Sequence, residues 1–123
     1  MSALSLHRVQ LPFPVDKAVQ VYRFYTEFLG LKNFAAPHTS HFRFGLAGHW
    51  LDLQPGTEAN PVQSGHLALN VLDLPALRYR LLEAGHVLEE TQPLPGYRRF
   101  FVNDPAGNRL EILEPEPDGA WTV

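Results

Sequence analysis

The 123-residue sequence contains no cysteine, which excludes a disulfide framework, a thiolate metal site and a thiol nucleophile. Any bound metal would have to be held by His, Asp, Glu or water. No stretch approaches the roughly 20 consecutive apolar residues of a membrane span, and Met1 to Val9 lacks the apolar run of a signal peptide. The expectation is a soluble, cytoplasmic protein with no membrane partner. Basic runs are missing too: Arg98 and Arg99 are only a pair, and the formal net charge is −3. Nucleic acid, which is gripped through clustered Lys and Arg, is therefore not an expected partner. What the chain does have is 45% apolar and 11% aromatic residues, enough to pack the interior of a single small domain, residues 1–123.

Read along the chain, one order of elements occurs twice. A short alternating strand at about Leu6 to Leu11 is followed by Pro12 and Pro14, which are expected to end strand pairing. Asp16 is the candidate N-cap of a helix whose Ala18, Val21, Tyr22, Tyr25, Phe28 and Leu29 form one apolar stripe, with Gly30 as its stop. Strands are expected at Leu31 to Ala35, Phe42 to Leu46 and His49 to Gln54, the last two joined by an Ala47-Gly48 turn. Residues 55–64 read as a linker. The second half gives a strand at Gly65 to Val71 and a helix at Leu74 to Ala84, with Asp73 as cap, Gly85 as stop and a stripe of Leu74, Leu77, Leu81 and Leu82. Strands near His86 to Glu90, Arg98 to Asn103 and Asn108 to Leu113 complete it. The fold class is α+β, βαβββ twice, with module one at about 5–54 and module two at about 65–114. A Pro-rich tail, 115–123, has Trp121 as its anchor. Residues 47–53 and 106–112 match at three of seven positions, as a duplicated unit would.

Two motifs turn this outline into a resemblance. Phe24-Tyr25 followed by Phe28-Leu29-Gly30-Leu31, and the run from Arg99 through Asp104-Pro105-Ala106-Gly107-Asn108 to Glu111, resemble the FY…LGL and RFxxxDPxGNxxE signatures of the vicinal oxygen chelate superfamily. His66 to Val71 resembles the strand that opens the second module there. The resemblance covers about residue 6 to about residue 114. It implies that two tandem βαβββ modules form an incompletely closed curved barrel, helices outside, with a small-molecule ligand on the concave side. It also implies a divalent metal ion (Fe, Mn, Ni or Zn), no organic cofactor, and a homodimer in which each pocket is often shared. In glyoxalase I, methylmalonyl-CoA epimerase, extradiol dioxygenases and fosfomycin-resistance transferases, the metal is held by one side chain on the first and last strand of each module. There it can chelate two neighbouring substrate oxygens. Carried onto this chain, the positions fall on Asp52, His66 and Glu111, and Glu111 is also the candidate catalytic base.

Strand parity agrees with that mapping, since Leu51 and Leu53, Leu110 and Ile112, and Leu67 and Leu69 alternate with Asp52, Glu111 and His66. The fourth position falls between His7 and Arg8, which must point to opposite faces. The apolar set Val9, Leu11 and Phe13 favours Arg8 and Gln10 in the pocket, with His7 among buried side chains. His7 would regain a metal-ligand role only through a β-bulge. A guanidinium cannot coordinate a metal, so Arg8 would instead hold a carboxylate or phosphate of the ligand, or neutralise Asp52 or Glu111. Trp50, Tyr97 and Arg99 are further candidate pocket residues, and Phe101 reads as core. His38 and His41 form a surface HxxH, and His49 and His86 read as structural. Two functions stay open: a metal-dependent enzyme acting on a small oxygen-rich molecule, and a metal-free binding protein resembling the bleomycin-resistance proteins.

Overall fold

The computed structural model describes residues 4–36, 39–56, 66–90 and 92–116. Contacts gather the chain into two compact units, Met1–Ala59 and Asn60–Val123. His38 and Trp121, and with them the HxxH pair and the tail anchor, lie outside the described residues.

In the first unit, β1 (Arg8–Pro14), β2 (Phe42–Leu46) and β3 (His49–Gly56) form a sheet in the order β1-β3-β2. β1 runs parallel to β3 and β2 antiparallel to it. The strand continues through both prolines expected to end it. Trp50 donates its backbone N–H to the carbonyl of His7 at 3.0 Å, so in a parallel pair the odd residues of β1 bond to β3 and the even ones turn to the side away from β3. Pro12 and Pro14 lie on that side, where β3 needs no donor from them.

The helical segment also departs from expectation. Asp16 does not cap it: a single 3-10 turn, Val15–Lys17, leads into α1 (Ala18–Arg23), whose N-cap position is Lys17 and carries no side-chain hydrogen bond. A wider π turn, Phe24–Phe28, follows, with Leu29 N–H bonded to Phe24 carbonyl oxygen at 3.2 Å. Phe24 and Tyr25 follow Val21 at i+3 and i+4, so the helical repeat turns both aromatics inward. Both are buried with Val21, while Tyr22 of the expected stripe is 41% exposed. Tyr25 stacks on Phe44 with centroids 5.3 Å apart, which seats the helix on the apolar face of the sheet. Leu51, Leu53 and Phe13 complete that core. Gly30, at φ 71°, ends the helix as expected.

The strand expected at Leu31 to Ala35 is reduced to one bridge, Asn33 with Phe44. The cause is local. Asn33 Oδ1 accepts from the N–H groups of Ala35 and Arg43, both at 3.0 Å, and this turn bends the chain out of a ladder.

The second unit keeps the full strand, helix and three-strand order. β4 (Leu67–Asn70), β5 (Leu88–Glu89), β6 (Tyr97–Asn103) and β7 (Arg109–Pro115) form a sheet in the order β4-β7-β6-β5, with β4 parallel to β7. α2 (Leu74–Glu83) covers its apolar face through Leu74, Leu77 and Leu81 against Phe100, Leu110 and Ile112, all buried. Leu82, expected in the stripe, is exposed, because three leucines at i, i+3 and i+7 already span the contact. The cap is as expected, Ala76 N–H to Asp73 Oδ1 at 3.2 Å. Glu114 adds to it from β7, accepting from the N–H groups of Asp73 at 2.6 Å and Leu74 at 3.1 Å. No helix among the described residues is long and apolar enough to cross a membrane.

Candidate functional site

Each sheet has an apolar face under its helix and a polar face opposite. In the first unit the register aligns Arg8, Trp50 and Gly45 in one row, and Gln10, Asp52 and Arg43 in the next. Cross-strand neighbours share a face, so these side chains converge. Arg43 grips the carboxylate of Asp52 with Nε to Oδ1 and Nη2 to Oδ2, both 2.8 Å. Arg8 Nε lies 3.7 Å from Oδ2. Asp52 is only 3% exposed, yet the Arg43 hydrogen bonds outweigh burial and hold its pKa below the usual aspartate value.

The Asn33 turn delivers an aromatic to this face. Phe34 donates its N–H to Arg43 carbonyl oxygen at 2.7 Å and sets its ring edge-on to Trp50, centroids 5.6 Å apart. Gly45 makes the space, since a Cβ there would come within 3.2 Å of the Phe34 ring. The Arg43 guanidinium lies 5.0 Å from the Trp50 ring, and Lys32 Nζ 5.2 Å from Phe34.

In the second unit the register puts Ala68, Glu111 and Phe101 in one row. His66, just before β4, has Nε2 at 2.7 Å from Glu111 Oε1. Arg99 donates Nη1 to Glu111 Oε2 at 3.0 Å and Nη2 to Gln92 carbonyl oxygen at 3.0 Å. Burial pushes the Glu111 carboxyl up, but the hydrogen bonds from Arg99 and His66 prevail and its pKa is lowered. As an ionised carboxylate only accepts, Nε2 of His66 is the donor. Phe101 lies at the centre of the cluster, edge-on to His66 at 5.2 Å, with the Arg109 guanidinium 4.3 Å from its centroid. Arg109 in turn pairs with Glu89 at 3.0 Å. Beside them is a cavity of about 200 Å³ lined by Val87, Glu89, Phe101, Val102, Asn103 and Arg109. The turn that sets β6 against β7 is fastened by Asp104, whose Oδ1 accepts from the N–H groups of Ala106 and Asn108 at 2.9 Å.

Of the residues singled out in sequence, Arg8, Gln10, Trp50 and Asp52 thus share one face, and His66, Arg99 and Glu111 share another. His7 precedes β1 and is exposed, contrary to the buried position expected for it. Its backbone carbonyl is taken by Trp50, and its Nδ1 lies 3.5 Å from Arg8 Nη1. His49 makes a 2.8 Å hydrogen bond through Nδ1 to Leu6 carbonyl oxygen, and burial lowers the pKa of His86. Sequence reasoning missed Arg43, Phe34, Arg109 and Glu89. Arg43 was within reach: the Ala47-Gly48 turn sets Leu46 opposite His49, and counting back puts Arg43 opposite Asp52.

The donor set does not fit a divalent metal. Both oxygens of Asp52 are occupied by a guanidinium fork, and Glu111 is shared between Arg99 and His66. Among the described residues no three His, Asp or Glu side chains form a group that could hold a metal ion.

A family profile described as a glyoxalase-like domain matches residues 10–113. No curated protein matches the sequence. Among solved structures, a protein described as belonging to the glyoxalase family, from Bacillus anthracis, is similar at TM-score 0.80 and 24% identity, over 94% of this chain and 98% of that one. The fosfomycin resistance protein FosX from Listeria monocytogenes, also solved with Mn(II), is similar at TM-score 0.77 and 14% identity, over 98% and 97%. TnmS3, an antibiotic binding protein from Streptomyces sp. CB03234, is similar at TM-score 0.68 and 22% identity, over 94% and 100%. At these identities the likeness shows the fold.

Proposed function

The chain belongs to the glyoxalase-like domain family, and we propose that within it this protein binds a small molecule on the polar faces of its sheets without a metal ion. One observation carries the reading. The carboxylates at the positions implied for metal ligands are held by arginines, Asp52 by Arg43 and Glu111 by Arg99. A cation arriving at either would have to displace a charge-assisted hydrogen bond and remain beside a fixed positive charge. Arg8, Gln10 and Trp50 on the first sheet, and separately Arg99 on the second, are the ligand-facing residues of this reading. Arg99 Nε is buried without an acceptor among the described residues, a donor that a ligand oxygen would satisfy. That the same fold serves an antibiotic binding protein supports the assignment.

A second reading, a metal-dependent enzyme with Glu111 as base and His66, Glu111 and Asp52 or His7 as ligands, is favoured by one contact. His66 Nε2 and Glu111 Oε1 are 2.7 Å apart, and a small rotation of Arg99 would leave the pair facing outward. Metal analysis after incubation with Mn, Fe, Ni and Zn separates the two. The binding reading expects no retained metal. One metal per chain, lost in both His66→Ala and Glu111→Ala, overturns it in favour of the enzyme. The proposal includes a cytoplasmic homodimer: light scattering should give twice the 13.9 kDa chain mass, and a 13.9 kDa particle contradicts it.

A further inference from the structure

We propose that the polar face of the first sheet, around Arg8 and Trp50, takes an aromatic monoanion: a flat ring carrying one carboxylate or sulfonate group. This rests on the small-molecule reading above and names the class of ligand.

Charge is the first argument. The chain is acidic overall, at −3, but on and beside this face, among the described residues, Arg8, Arg43 and Lys32 stand against the carboxylate of Asp52. Arg43 already satisfies that carboxylate at two points, 2.8 Å each. Arg8 is left with Nε at 3.7 Å from Oδ2, outside hydrogen-bonding distance, and Nη1 at 3.5 Å from His7 Nδ1. Its side chain is 48% exposed. A guanidinium whose donors are so little used, on a face where the Asp52 carboxylate is already neutralised, suits an incoming anion through two parallel N–H···O bonds. Gln10, two residues on and on the same face, adds an amide donor.

The aromatic half follows from register. Trp50 is the direct cross-strand neighbour of Arg8, and Phe34 stands edge-on to it over Gly45. An anion seated on Arg8 therefore has an indole beside it, and a flat ring attached to that anion can lie against Trp50 with offset or edge-on geometry. An aliphatic anion would use only the first half of the site, and a neutral ring only the second.

Calorimetric titration of the full chain with 2-naphthoate, 2-naphthol, 2-naphthylmethylammonium and cyclohexanecarboxylate tests this. The Trp50 indole N–H resonance, assigned against Trp121→Phe, reports the place of binding. The expected result is that 2-naphthoate binds and shifts Trp50, while each of the other three binds at least about tenfold more weakly. Arg8→Gln is expected to weaken 2-naphthoate by about tenfold and Arg8→Lys by less, as the charge stays but the fork is lost. Equal binding of 2-naphthol, or of 2-naphthoate to Arg8→Gln, overturns the anion site while leaving small-molecule binding intact. Absence of any naphthalene binding also overturns it. Failure of the underlying reading shows separately, as stoichiometric metal in the wild-type protein.

Discussion

Arg43 and Asp52 meet across β2 and β3 in a two-point contact, Nε to Oδ1 and Nη2 to Oδ2, that leaves neither carboxylate oxygen open. Replacing Arg43 with Met strands a buried charge, with Arg8 no nearer than 3.7 Å. The urea midpoint of Arg43→Met is expected to fall well below that of Arg23→Met, which removes only an exposed pair with Glu27. The double variant Arg43→Met with Asp52→Leu should recover part of the loss, as both polar partners then leave together. Equal midpoints for the two single variants would show the fork to be stabilising no more than a surface pair.

Acid should act through the same carboxylates. Asp52 and Glu111 both have pKa values lowered in the fold, so each contributes stability that is fully present above the ordinary carboxylate pKa of about 4. That contribution is lost as pH falls through the depressed values. Thermal midpoints are expected to decline gently below about pH 6.5, as the unfolded chain protonates His86 whose pKa burial lowers, and to drop more steeply below about pH 4. In Asp52→Asn the drop should be shallower. An unchanged slope in that variant would remove Asp52 from the account.

Asp104 ties the turn before β7 from inside. It is 3% exposed, and its Oδ1 accepts two backbone N–H groups while Oδ2 takes the Asn108 amide at 3.0 Å. Asp104→Ala would leave those donors buried and unpaired, at a cost of about 2–4 kcal/mol in chemical denaturation. A loss below about 0.5 kcal/mol would mean that the turn relaxes to find other acceptors.

Glu114 reaches from β7 to the N-terminus of α2, where it also meets Arg98 Nη2 at 2.6 Å. Glu114→Ala should lower the melting temperature and speed hydrogen exchange at the Asp73 and Leu74 amides, with Glu114→Gln intermediate because an amide oxygen still accepts. Unchanged exchange at those two amides would assign the cap to Asp73 alone.

Much of this was legible in the sequence. Alternation gave the faces of β3 and β7 correctly, because Leu51, Leu53, Leu110 and Ile112 are buried on one side while the carboxylates they flank lie on the other. The Asp73 cap and the Gly30 stop were equally local, and so equally readable. What escaped depended on partners distant in sequence or on unusual backbone. The π turn at Phe24–Phe28 has no signal in a 3.6-residue periodicity, although the burial of Phe24, three residues after Val21, follows that periodicity. The Asn33 turn that reduces a strand to one bridge depends on Arg43, ten residues away. Asp52 and Glu111 were read as polar-face carboxylates, and they lie there, but residue type alone does not say that Arg43 and Arg99 each hold one through hydrogen bonds.

The two prolines of β1 carry a consequence for behaviour at high concentration. An outer strand ordinarily presents a ladder of N–H groups on which a foreign strand can grow, the first step toward fibrils or exchanged segments. Pro12 and Pro14 supply no such donors over the last half of β1, so on the side away from β3 that half of the strand cannot donate to a foreign strand. Restoring the donors, as in Pro12→Thr with Pro14→Thr, would leave the pairing to β3 intact and turn the strand into a growth point.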